Sequence, residues 1–143
     1  YGGHPNPVGL PADSSGNFYT ANDTSSAGVV WQHPPGGGAS SWGTMSTTSD
    51  PVQARALASD PTSSTGAVFL LDSAGGRIGM VCNGGCTTNR NWLPNINPAI
   101  NDPGGMAFDT NGDFVFTNSN SISHRRPDKT EIQRFICAAS VET

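Results

Sequence analysis

A hairpin signature that recurs along this chain limits what the chain can fold into. Its clearest copy is Pro103-Gly-Gly-Met-Ala-Phe-Asp109-Thr-Asn-Gly112-Asp-Phe-Val-Phe-Thr-Asn118. Met106 to Phe108 is a short apolar run and Phe114 to Thr117 a second β-prone run. Between them, Asp109-Thr-Asn-Gly112 has the chemistry of a tight turn, with an Asp that can cap its own backbone and a Gly that accepts positive φ. Two such runs around such a turn predict a β-hairpin.

The template recurs at Leu10-Pro-Ala-Asp13-Ser-Ser-Gly16-Asn-Phe18-Tyr-Thr-Ala-Asn22, with the turn Asp again three residues before the turn Gly. A third copy runs from Ala56 through Asp60 to Gly66 and on to Asp72, its turn three residues longer. The turn glycines Gly16, Gly66 and Gly112 lie 50 and 46 residues apart, so a period near 48 divides the 143 residues into three units, about 1–48, 49–98 and 99–143. A strand-built repeat of this length points to a propeller or a solenoid.

Composition agrees with an all-β reading. Charged residues make up only 13% of the chain, while 18 Gly and 11 Pro supply turns between short strands. The formal charge of −4 and the single lysine, Lys129, give no electrostatic footprint for nucleic acid or for an anionic membrane surface. Neither partner is expected. No run approaches the roughly 20 apolar residues of a membrane helix. Opening at Tyr1 without an initiator Met, the chain reads as a mature, processed or excised one from which any secretion signal is already gone.

Taken in order, the first nine residues read as an irregular lead-in or an outer edge strand. The first unit then has strands near 10–13, 17–22 and 29–32, with a further one within 42–48. Residues 51–58 include good helix formers, but the repeat makes their end a strand. The second unit has strands near 56–59, 67–72 and 77–82, and the connection 86–102 either hides an outer strand or is a functional loop. The third has strands near 105–109, 113–118 and 131–137, interrupted by a polar segment in which positive charge clusters.

The middle unit, Gly66-Ala-Val-Phe-Leu-Leu-Asp72-Ser-Ala-Gly-Gly-Arg77-Ile78, resembles the NHL-type propeller repeat. There an apolar strand ends in Asp, and an Arg-Ile pair five residues on opens the next strand. The third unit resembles the first half of that repeat. The resemblance implies three propeller-like blades of antiparallel strands, a partial or half β-propeller. Single-chain propellers have four to eight blades, so three would be completed by a homo-oligomer, most simply a two-fold dimer making six blades, or by another propeller segment. Two functional readings follow: a non-enzymatic extracellular module that binds a glycan or builds an assembly through its two open blade faces, and, as the resemblance implies, a fragment or half-ring of an NHL-type lyase, lactonase or quinone-dependent sugar dehydrogenase with its site in the central channel.

The residue six after each turn glycine is Asn22, Asp72 or Asn118, at the end of the second strand of each hairpin. These three are candidates to converge on a ligand at one mouth of a channel; the alternative is that each caps its own turn. Trp31, Trp42 and Trp92, among Asn, Ser and Gly, are candidates to stack on sugar rings or to pack between blades. His4, His33 and His124 do not share a register and read as loop histidines, and no metal or cofactor is expected. Asp13, Asp60 and Asp109 read as turn formers, and no catalytic residue is assigned. Asn22-Asp23-Thr24 is a glycosylation sequon.

Cys82-Asn-Gly-Gly-Cys86 is spaced for a small-loop disulfide, which would mark an oxidising, extracellular compartment, two free thiols being the alternative. Cys137 is the odd cysteine. Thiol labelling of the denatured, unreduced protein is expected to find one reactive thiol per chain; finding three would remove both the disulfide and the extracellular assignment.

Overall fold

The computed structural model describes residues 7–22, 28–45, 52–63, 66–83, 87–94, 96, 104–118 and 120–136. These residues form strands and turns without a helix. Twelve strands follow one another: β1 Pro7–Val8, β2 Phe18–Asn22, β3 Val29–His33, β4 Ser40–Thr44, β5 Ala54–Ser59, β6 Val68–Asp72, β7 Arg77–Val81, β8 Asn89–Leu93, β9 Met106–Phe108, β10 Phe114–Asn118, β11 Ser121–Arg125 and β12 Glu131–Ile136. They make three four-stranded antiparallel sheets in simple meander order, β1–β4, β5–β8 and β9–β12. The first strands of the sheets lie side by side, β1 against β5 and β5 against β9, so the sheets fan out from a common inner edge.

The second strand of each sheet shows how the sequence sets the stacking. Phe18–Asn22, Val68–Asp72 and Phe114–Asn118 hold the same place in their sheets, but only Val68–Asp72 is buried at all five positions. A strand that is apolar at successive positions has to be covered on both faces. The middle sheet meets this requirement by lying between the other two. Tyr19, Ala21 and Val30 of the first sheet pack with Leu57, Val68, Leu70 and Val81 of the second. On its opposite face, Phe69, Leu71, Ile78 and Leu93 pack with Phe114 and Phe116 of the third. In β10 the alternation survives, with Phe114 and Phe116 turned inward and Val115 outward.

Four expectations need revision or completion. The first strand is Pro7–Val8 rather than 10–13, because Gly9 sits at φ 74 and Pro11 has no amide to donate; only the isolated bridge Ala12↔Phe18 continues the pairing. Of the first nine residues, Pro7 and Val8 thus belong to the inner edge rather than to an irregular lead-in or an outer edge strand, and residues 1–6 lie outside the described residues. The connection 86–102 does hide an outer strand, β8, held by Trp92 and Leu93. In the third unit 131–137 contains the fourth strand, not the third. The polar segment before it forms β11, whose Ser121 and Ser123 turn inward while Ile122 turns out.

Phe114 is fully buried, whereas its neighbour Val115 is 38% exposed. Phe114→Ala is therefore expected to cost about 3–5 kcal/mol and Val115→Ala less than about 1 kcal/mol, read from urea unfolding.

Candidate functional site

One edge of the fan is built from three aspartate turns. Asp13 Oδ1 accepts from the Ser15 and Asn17 amides at 2.9 and 3.0 Å. Asp109 Oδ1 does the same from Asn111 and Asp113 at 2.8 and 3.0 Å. In the longer middle turn Asp60 Oδ1 accepts from the Thr62 amide at 2.8 Å and the Thr62 hydroxyl at 2.6 Å. Gly16 and Gly112 close their turns at φ 79 and 81, where a side chain would be strained. All three aspartates are turn formers, as their sequence context predicts.

Two clefts open between the sheets at this edge. The first, about 480 Å³, lies between the first and second sheets and includes Asp13, Tyr19, Ser59 and Asp60. Tyr19 donates to Asp13 Oδ2 at 2.8 Å and accepts from Gln32 Nε2 at 3.2 Å. Burial works against the Asp13 carboxylate, but bonds from Asn17, Tyr19 and the Asn17 and Ser15 amides outweigh it and hold its pKa below the usual carboxylate value. Burial, then the bond to Asp13, push the Tyr19 phenol up to about 12. The second cleft, about 350 Å³, lies between the second and third sheets, with Asp60, Thr62 and Ser63 at its rim and Phe69, Trp92 and Phe108 below.

Asn22, Asp72 and Asn118 end β2, β6 and β10, at the edge opposite the aspartate turns and in three different sheets. Asp72 is fully buried; its Oδ1 accepts from the Gln53 and Ala74 amides at 2.9 and 3.1 Å, and its Oδ2 lies 2.7 Å from the Arg77 guanidinium. Asn118 is buried, and its carbonyl accepts from the Ser121 hydroxyl at 3.3 Å. Asn22 is half-buried; Asp23 and Thr24 of its sequon lie outside the described residues.

The tryptophans do not gather on one surface. Trp42 meets Tyr19 edge-on at 5.1 Å, within the core shared by the first two sheets. Trp92 packs on Phe69 of its own sheet at 4.7 Å and reaches across the second joint to Phe114 at 5.1 Å, under the Lys129 ammonium at 5.1 Å. Trp31 pairs with Thr20 in register, on the face of the first sheet turned away from the second. His33 and His124 are in strands, not loops: His33 Nε2 lies 2.9 Å from the Thr20 hydroxyl, and His124 lies 3.7 Å from Asp113. Among the described residues no three His, Cys, Asp or Glu side chains group as metal ligands. Cys82 is buried after β7, while Cys86, Cys137 and His4 lie outside the described residues.

Sequence reasoning named the open blade faces without their residues, which the repeat register supplies. Phe18, Val68 and Phe114 each follow their turn glycine by two residues; Val68 and Phe114 are fully buried against a preceding sheet, and Phe18 is 48% exposed. Leu10 and Leu57 both precede the turn aspartate by three residues, and they are 74% and 6% exposed. At the other end Tyr19 and Phe69 are buried against a following sheet, whereas Val115, their equivalent, lies bare with Ile122 and Phe135. The first and last sheets each leave open the face that the middle sheet has covered.

The same fan of sheets occurs in solved structures. Virginiamycin B lyase from Staphylococcus aureus superposes with a TM-score of 0.65 at 21% identity, over 96% of this chain and 43% of that one. A streptogramin B lyase gives 0.66 at 20% identity, over 95% of this chain and 42% of that one. This chain is part of a β-propeller fold. A chain of the nidogen/laminin complex gives 0.63 at 20% identity, over 91% and 47%. The chain thus spans less than half the length of each of these propellers. No protein-family model matches the sequence, and no curated protein does.

The Asp13–Tyr19 bond gives the first joint a pH signature. A carboxylate pKa depressed by folding contributes stability above its unfolded value and loses it as pH falls through the folded one. A phenol pKa raised by folding contributes stability below about 10 and loses it as pH rises through about 12. Tyr19→Phe is expected to cost about 1–3 kcal/mol at pH 7 and to remove the alkaline limb of the stability curve, measured by urea unfolding between pH 7 and 12.

Proposed function

We propose that this chain contributes three consecutive blades to a larger β-propeller that serves as an extracellular, non-enzymatic binding or assembly module. Its two open faces dock further blades of the same kind. The exposure of Leu10, Phe18 and Val115, set against the burial of their register equivalents, carries this reading. Positions that are covered wherever a neighbour exists are apolar also where none does. The two faces are complementary: the internal joints always set a Val115-type face against a Phe18-type face, so docking runs head to tail. Three blades at a 43% share of the lyase chain scale to about seven. By that share of length, four further blades fit better than the three a second copy brings, though the same faces also allow a homo-oligomer. The extracellular part rests on the Cys82/Cys86 spacing and the Asn22 sequon, and a glycan is the ligand the aromatic and hydroxyl-rich clefts suit.

A second reading, the half-ring of a propeller enzyme, draws support from the lyases among the structural neighbours. Turnover of virginiamycin B by the purified chain would favour it, and none is expected.

Native mass spectrometry across a concentration series is expected to show species above the 14.8 kDa chain mass. Leu10→Asp and Val115→Asp are each expected to abolish self-association, while mixing the two restores one intact head-to-tail junction. A wild-type chain that stays monomeric throughout, or a mixture that does not pair, overturns docking between copies and leaves only further blades of another segment to cover the two faces.

A further inference from the structure

We propose that the cleft between the second and third sheets binds a single neutral, hydroxylated ring, of the kind a terminal sugar residue presents. This deepens the module reading above by assigning its ligand a place. The volume of about 350 Å³ is at the small end of ligand pockets and admits one such ring. Its floor is apolar. Phe69 is buried behind it, 4.7 Å from Phe108 at 44°, while the half-buried Phe108 ring, with Met80 also lining the cleft, is the surface on which a sugar's C–H face stacks. One face of Trp92 already carries the Lys129 ammonium, so Phe108 supplies the platform.

The rim supplies the polar half. Thr62 holds Asp60 through both its amide and its hydroxyl, and both bonds go to Oδ1. Oδ2 is thereby oriented and left to accept from ligand hydroxyls, with the Ser63 side chain nearby at the same rim. Thr62 and Ser63 belong to the longer β5–β6 turn, which has three more residues than the turns beginning at Asp13 and Asp109. The added length thus brings the Thr62 hydroxyl to this cleft and not to its neighbour, whereas Asp60 and Ser63 line both. None of the lining residues is basic, which disfavours an anionic ligand. Gly112 meets this rim from the third sheet, where a Cβ would come within 3.1 Å of the Thr62 hydroxyl.

The neighbouring cleft is the internal contrast. There the equivalent of Phe69 is Tyr19, whose hydroxyl is committed to Asp13, and all four bonds accepted by that carboxylate come from the chain itself. That carboxylate has no oriented oxygen to spare.

The test is calorimetric titration of the full chain with the methyl glycosides of glucose, galactose, mannose and N-acetylglucosamine, with choline chloride as a cationic probe. At least one glycoside is expected to saturate at millimolar concentration. Asp60→Asn and Thr62→Val are each expected to weaken it at least about tenfold, with Tyr19→Phe unchanged. Saturation by choline alone, no saturation by any glycoside below 50 mM, or loss of binding in Tyr19→Phe but not in Asp60→Asn overturns the assignment. Native mass measured on the same samples separates this from the module reading: association without glycoside binding sinks the cleft alone, and binding by a strictly monomeric chain sinks the assembly alone.

Discussion

A sheet that is apolar on both faces cannot stand at the surface of a protein, and the middle sheet of this chain is such a sheet. Val68, Phe69, Leu70 and Leu71 point alternately to the two sides and are buried on both. Each side chain of this size taken out of water contributes roughly 1.5–3 kcal/mol. The flanking sheets are therefore part of what makes the middle one a folded object. The same dependence passes outward, because each flanking sheet has one covered face and one apolar face left over. The architecture is a stack in which every layer is completed by the next, as in other repeat folds.

Within the middle sheet, the Asp72–Arg77 pair closes what packing leaves loose. The two residues are direct register partners across the β6–β7 turn, and Asp72 also takes the Gln53 amide from the segment leading into β5. One carboxylate thus ties together three strands at the edge away from the aspartate turns. This gives a physical meaning to the Asp and Arg-Ile pattern noted in the sequence. Removing either partner would strand a buried charge, which costs far more than the pair gains over an apolar replacement.

Local chemistry was readable and non-local cover was not. Asp13, Asp60 and Asp109 bond their own turns, so a few consecutive residues determine them. The buried run of β6 was also plain, since four successive apolar residues have few other uses. By contrast β11 was hidden by its serines, histidine and arginine, whose inward Ser121 and Ser123 are polar and carry no apolar alternation. The joints lay equally out of reach. That Trp42 and Trp92 belong to different inter-sheet cores, and that Asp60 has one occupied and one open oxygen, depends on residues far apart in the chain.

The joints also contain a geometric decision. Where the first sheet meets the second, a Cβ on Gly9 would come within 2.7 Å of the Leu57 side chain at the inner end. Towards the outer end a Cβ on Gly43 would come within 2.8 Å of Val81, and one on Gly79 would run into Met45. These glycines let two backbones approach at both radii of the fan, so they set the wedge angle between neighbouring layers. In a closed ring every wedge error adds to the next, and the sum must reach a full turn. A methyl group at the inner radius would narrow the wedge and one at the outer radius would open it, so glycine placement acts as a gauge of how many blades such a ring can hold.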